Sequence, residues 1–396
     1  MKPLISICIP ARNEFPNIVH TFHSIMNCLE ADGFGPNDAE VILIDNASTD
    51  TDPVKPGVKG TSSYLMPRGA YWNRTVRVIY DPIAGNHSAR NKGAEIAYGK
   101  YLFFSDAHMA YRPGYFKNMI KAVDESGGLV HGSLNFMGAY PPKPSSTGYG
   151  YTLKLGEEWK GTWNPYVVNP DKFFAVPGQG HWGLAVDRQQ FLDFGGYPEI
   201  HRTYGGGETF VDSLWWMMGS CVVTEPKAIG YHLASSRGYS YEHDDYKHNV
   251  LNCSYALGAD WWMERAKLNW MRHGRKEVMD RLYAEAKIEM APRRKIIEKR
   301  RVMTFNEMVV NKPWDKWNME HHGKTNSAMS IFHWSWLELL RQAPDYVKKA
   351  YLESEFQQQL GEFIEANLKE YIYKGPDFEK KYGLETLQRW RKTLEF

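Results

Sequence analysis

Short apolar runs alternate with amphipathic stretches over the first 105 residues of the chain. Residues 4–9, 41–45 (VILID), 76–80 and 101–105 (YLFFS) are compact and rich in β-branched or aromatic side chains, the pattern of buried strands. Between them, residues 16–31 place Ile18, Phe22, Ile25, Met26 and Leu29 at helical spacing, and residues 88–98 form a second helix-like stretch. Strand–helix alternation of this kind predicts an α/β fold with a mainly parallel sheet flanked by helices. Ligands of such sheets sit at the carboxyl ends of the strands. Here those ends are polar: Pro10-Ala11-Arg12-Asn13-Glu14 after the first strand, Asp45-Asn46 after the second, Asp106-Ala107-His108 after the fourth.

Further along, residues 51–73 are rich in proline and glycine and read as a surface excursion, and 139–151 (AYPPKPSSTGYGY) as a mobile loop. A helix is expected near 209–218. From residue 241 the pattern turns helical and tryptophan-rich, which divides the chain into a domain at 1–240 and a helical extension at 241–396.

Charge and cysteine content narrow the setting. The 396 residues carry 48 Lys and Arg against 46 Asp and Glu, a balance unlike that of a histone-like protein. Residues 265–301 nevertheless hold 13 basic and 5 acidic residues, a solvated helical face or a patch for phosphate-bearing acceptors or a membrane surface. No apolar run reaches the roughly 18 residues of a transmembrane helix, and the apolar opening is too short for a signal peptide. Cys8, Cys28, Cys221 and Cys253 are widely separated and are expected to be reduced, buried thiols, so a cytoplasmic location is expected. Among the tryptophans, Trp261, Trp262, Trp270, Trp314, Trp317, Trp334 and Trp336 can stack on bases or sugars, although core packing is the commoner use.

Candidate chemistry concentrates at four places. Asp106 and His108, two apart at a strand end, can face one divalent cation, and His232 can complete the site from a distant strand after a turn at Glu225-Pro226-Lys227. Gly205-Gly206-Gly207-Glu208 precedes a helix, so Glu208 would contact a sugar hydroxyl or act as general base. Glu14 and Asp45 can hydrogen-bond a nucleobase and ribose, and Arg90 can face a phosphate. Residues 178–183 (GQGHWG) match GxGxxG literally but lead into a strand-like Leu184-Ala185-Val186, so they are not a dinucleotide fingerprint. The sequence has no Walker loop, HExxH, G-x-S-x-G or zinc-like Cys/His spacing, which removes most of the weight from kinase, zinc-protease and hydrolase readings.

Taken together, these segments resemble the GT-A nucleotide-sugar glycosyltransferases of the family 2-like clan. SICIPARNE, VILIDNASTD and AGNHSARNKGAEIAYGKYLFFSDAH are similar to that clan's opening strand, second strand and approach to the metal motif. GQGHWGLAVDRQQFLDFGGYPE, YGGGETFVDSLWWMMG and IGYHLASSRGYSY resemble the polypeptide N-acetylgalactosaminyltransferases in order and spacing. The resemblance implies a GT-A, Rossmann-like fold, a UDP-sugar donor, Mn2+ or Mg2+ held by Asp106, His108 and His232, and transfer to a macromolecular acceptor. It implies nucleotide-sugar contacts from Pro10, Arg12, Glu14, Asp45, Arg90, Asp106, Gly206 and Gly207. Glu208 or Asp212 is the expected base if the reaction inverts, and Glu208 merely holds the sugar if it retains, the course that Asp-x-His favours.

Two departures stand out: Tyr231 separates Gly230 from His232, and Thr209 follows Glu208. A helical extension is also expected in place of that family's anchor and lectin domain. This architecture suits a phage-encoded enzyme acting on DNA carrying hydroxymethylated bases, on protein or on envelope glycan. The competing readings are a nucleotide-sugar-forming nucleotidyltransferase, disfavoured by the glycine-free loop ARNEFPN, and an inactive sugar- or nucleic-acid-binding module.

Overall fold

β-Branched and aromatic side chains that are apolar on both sides of a strand belong inside a sheet covered on both faces, and the first strands behave in this way. In the computed structural model, β1 (Ile5–Ala11) and β2 (Ala39–Asn46) are buried along their whole length. β4 (Tyr101–Ser105) is too, whereas β3 (Thr75–Asp81) is more open. The structure describes residues 2–51, 60, 75–83, 85–138, 144–148, 151–154, 160–163, 167–233, 239–271 and 275–324. The expected excursion at 51–73 lies mostly outside these residues, and so does much of the expected loop at 139–151, within which 144–148 forms strand β7 (Pro144–Gly148).

The strand order in the main sheet is β10-β12-β6-β11-β4-β1-β2-β3. The additional strands are β5 (Met109–Tyr111), β6 (Leu129–Met137), β10 (Phe174–Ala175), β11 (Gly183–Asp187) and β12 (Val222–Leu233); β5 pairs with β12 and β7 with β6. A separate ribbon joins β8 (Tyr151–Lys154) and β9 (Lys160–Trp163). β3, β2, β1 and β4 run parallel, as alternation with α1 (Asn17–Ala31) and α2 (Asn86–Ile96) requires. Beyond β4 the sheet is mixed, because β11 enters antiparallel between β4 and β6. β11 begins at the last glycine of GQGHWG, so the segment does run into a strand. The anticipated turn at 225–227 is instead a register shift inside β12, between Glu225 and Ile229. That bulge lets one strand reach from Val222 to the site at His232.

Helices α3 (Tyr115–Ser126), α4 (Arg188–Phe194) and α5 (Gly207–Met217) join α1 and α2 around the sheet. They are followed by α6 (His243–Ala256), α7 (Asp260–Met271), α8 (Lys276–Glu289), α9 (Ala291–Arg300), α10 (Phe305–Asn311) and α11 (Pro313–His322). One apolar cluster runs from Ile5 to Trp314, so the described helices after residue 241 share the core of the sheet. Trp262, Trp270 and Trp314 are buried in it and offer no face to a ligand. Part of the basic excess in 265–301 is met by acids outside the segment: Arg294 pairs with Asp260, Arg275 with Asp244 and Arg293 with Glu199. The four cysteines are buried and unpaired.

Candidate active site

Where β1 and β4 end, their chains part and leave a cavity of about 430 Å³, lined by Pro10, Arg12, Glu14, Arg90, Asp106, His108, Glu208 and His232 among others. Asp106 leaves β4 with its amide donating to the Trp182 carbonyl (3.0 Å), so the turn to His108 is held from outside. His232 reaches the same point from β12, which is paired with β5 there; His232 stands opposite Met109. The His108 and His232 Nε2 atoms are 3.1 Å apart, and His232 Nε2 is 3.5 Å from Asp106 Oδ2. One ligand atom from each residue falls within 4.8 Å of the others. Two imidazole nitrogens and a carboxylate oxygen converging in this way fit a divalent transition metal.

Their neighbours hold these donors in position. Arg90 Nη2 donates to Asp106 Oδ1 (2.8 Å) and to the His181 carbonyl (2.9 Å). Burial disfavours an ionised Asp106, yet the His232 hydrogen bond and the charges of Arg90 and His108 outweigh it and keep the carboxyl well below its usual range. Glu14 Oε1 lies 3.2 Å from His108 Nδ1, which leaves Nε2 as the nitrogen facing the metal position. Glu14, expected at the nucleobase, thus stands behind a metal ligand. Arg90, expected at a phosphate, is committed through one of its terminal nitrogens to Asp106.

Glu208 opens the first turn of α5, and its Oε1 accepts from the His181 amide (3.2 Å). Burial raises its pKa to about 7, against the opposing pull of Arg90 and that amide. Pro10 and Arg12 line the cavity, with the Arg12 guanidinium 5.5 Å above the Tyr239 ring.

Four expected site residues lie elsewhere. Asp212 is only 1% exposed and sits behind the cavity, where it accepts from the Gln179 amide (2.7 Å) and lies 3.1 Å from His181 Nε2. A base must reach its substrate, and Asp212 does not. Gly206 and Gly207 do not line the cavity but pack tightly behind it; a Cβ on Gly207 would lie 2.6 Å from the His87 ring. Asp45 is fully buried under the loop it caps, accepting from Ser48 N (3.0 Å). Its Oδ2 has no hydrogen-bond partner among the described residues.

Sequence reasoning passed over Trp182, Tyr204, Tyr239 and Phe136, which also line the cavity, as does Asn46 at the polar end of the second strand. Trp182 lies inside the rejected GQGHWG segment and Tyr239 in the GYSY stretch, aromatic residues beside turn glycines that carry no periodic signal.

The arrangement defines a class, the GT-A fold with an Asp-x-His site at the end of its fourth strand. Residues 6–141 match the glycosyl transferase family 2 model. Polypeptide N-acetylgalactosaminyltransferase 3 of Drosophila melanogaster is 25% identical over 242 residues, covering 57% of this chain and 34% of that protein. The probable N-acetylgalactosaminyltransferase 9 of Caenorhabditis elegans is 22% identical over 266 residues, covering 65% and 44%. The chain thus spans less than half the length of these two relatives. A crystal structure of GalNAc-T7 with UDP, GalNAc and Mn2+ superimposes with a TM-score of 0.63 at 16% identity, covering 80% of this chain and 58% of that one. These findings bear out the resemblance to GT-A glycosyltransferases of the family 2-like clan.

Proposed function

We propose that this protein is a metal-dependent glycosyltransferase that moves a sugar from a UDP-sugar to a hydroxyl of a macromolecular acceptor. The observation that carries this reading is the convergence of Asp106, His108 and His232 with Glu208 in one cavity at the strand ends. Mn2+ or Mg2+ bound there would supply charge neutralisation on the departing diphosphate. The residues of the chain do the rest. Arg90 and Glu14 hold Asp106 and His108 in place, while Pro10, Arg12 and Tyr239 form a wall for the nucleotide. Glu208 meets the sugar or the acceptor. In a retaining course, which the Asp-x-His motif favours, Glu208 fixes the sugar; in an inverting course it takes the acceptor proton.

The acceptor is proposed to be a protein, an envelope glycan or a hydroxymethylated DNA base, in keeping with a phage-encoded enzyme. Four unpaired thiols support a reducing, cytoplasmic setting.

The test is a turnover and thermal-shift screen of UDP-, GDP- and TDP-sugars with and without Mn2+ or Mg2+, run on the wild type and Asp106→Ala. We expect metal-dependent release of UDP by the wild type and at least about a hundredfold loss in the variant. Turnover unaffected by metal or by the substitution would overturn the metal assignment. Silence with every donor would leave a binding module. The anomeric configuration of the product decides between the two courses.

A further inference from the structure

A second group of metal-ligating side chains lies behind the cavity: His131 on β6, His181 on the loop before β11, and Asp212 on α5. We infer that these three residues form a buried structural zinc site that clamps α5 to the sheet.

The geometry of the donors supports this assignment. His181 Nε2 is 3.1 Å and His131 Nε2 is 3.5 Å from Asp212 Oδ1, and one ligand atom from each residue lies within 4.8 Å of the others. Ligands about 2.0–2.2 Å from a tetrahedral zinc are about 3.3–3.5 Å from one another. The imidazoles stack with centroids 5.3 Å apart and both present Nε2 to the same carboxylate oxygen. Imidazole nitrogens with a carboxylate are a zinc-type donor set.

The hydrogen-bond inventory of the cluster is incomplete without a cation. His131 is 0% exposed, and neither of its ring nitrogens has a hydrogen-bond partner among the described residues. Its 3.5 Å approach to Asp212 is too long for a good N–H···O bond. Gln179 Oε1, also fully buried, has no partner there either. Leaving such groups unmet is unfavourable, because a buried polar atom gives up its hydration with nothing in return. The outer contacts, by contrast, are those that orient metal ligands: Tyr197 Oη is 2.5 Å from His181 Nδ1, and the Gln179 amide donates to Asp212 Oδ2 at 2.7 Å. A water would complete four-coordination.

The three ligands come from a strand, a loop and a helix far apart in sequence, and none is exposed to solvent. Such a site loads as the chain folds and then resists removal, as structural zinc does. Its position gives it a purpose. His181 donates its amide to Glu208 and its carbonyl accepts from Arg90, so a clamp on the His181 ring steadies two residues of the cavity wall. The inference is independent of the catalytic reading.

The experiment is elemental analysis of the full chain, purified without immobilised metal from zinc-replete cells and dialysed against EDTA. The Asp106→Ala/His232→Ala double variant, which lacks the front site, is treated in the same way. About one zinc per chain should remain in both, and X-ray absorption of the double variant should show two imidazole ligands. His131→Ala should lose the zinc, with circular dichroism reporting whether the fold survives. A folded wild-type chain holding no zinc would overturn the inference. Zinc lost from the double variant, or retained by a folded His131→Ala chain, would overturn it equally.

Discussion

Glu208 is subject to two opposed influences, burial favouring its neutral form and Arg90 with the His181 amide favouring its charged form. The balance near 7 has a kinetic consequence. Only the ionised carboxylate can take a proton, so if Glu208 serves the acceptor hydroxyl, kcat/KM should rise with pH through about 7. Glu208→Gln should abolish that limb and cost about a hundredfold or more in kcat. A rate profile flat through that region, together with a Gln variant altered mainly in KM, would assign Glu208 to holding the sugar instead. At the same scale, Asp106 and His108 were legible from their position after YLFFS, because a strand's end is marked by its apolar run. The roles of Arg90 and Glu14 were not, since contacts made across 16 and 94 residues have no local signature.

At the scale of elements, the start of α5 depends on backbone that only glycine adopts easily. Gly206 is its N-terminal cap at φ +78°, and a Cβ there would sit 3.1 Å from Cys253 Sγ and 3.2 Å from the Asn249 carbonyl. Gly206→Ala should therefore destabilise the fold by about 1–3 kcal/mol, read as a lower urea midpoint. The resemblance implied nucleotide-sugar contacts from Gly206 and Gly207; in the folded chain α6 approaches Gly206 and the His87 ring of α2 approaches Gly207. The preceding turn is tied down by Asn249, whose amide donates to the Arg202 and Tyr204 carbonyls at 3.1 and 2.9 Å. Asn249→Ala should loosen the Tyr204 wall, and equilibrium binding should show a weaker donor affinity.

For the molecule as a whole, acid should be the weak side of the stability profile. Burial lowers the His201 pKa to about 4, and burial with neighbouring His201 and Arg90 lowers His87 well below its ordinary value. Both are neutral when folded and take a proton near pH 6.5 when unfolded. Their contribution is therefore complete above pH 6.5 and is lost as pH falls below it; for His201 the loss runs toward about pH 4, at about 1.4 kcal/mol per pH unit. Melting temperatures should be level above pH 6.5 and fall below it, less steeply in His201→Gln. A melting temperature constant from pH 7.5 to 4.5 would contradict this.

Hydrophobic periodicity determined the strands 41–45, 76–80 and 101–105 and the helix near 209–218 within a residue or two, because burial of an apolar face is a local demand on the chain. By the same logic it located the polar strand ends, and with them Asp106 and His108, while the glycines before the helix marked Glu208. Tertiary structure decided what no local pattern encodes. It inserted β11 antiparallel beside β4, joined the described helices beyond residue 241 to the core of the sheet, turned Asp212 away from the cavity, and set Glu14 behind His108. These outcomes depend on which distant surfaces pack together, and a side chain's direction at a strand end follows from that packing rather than from its neighbours in sequence.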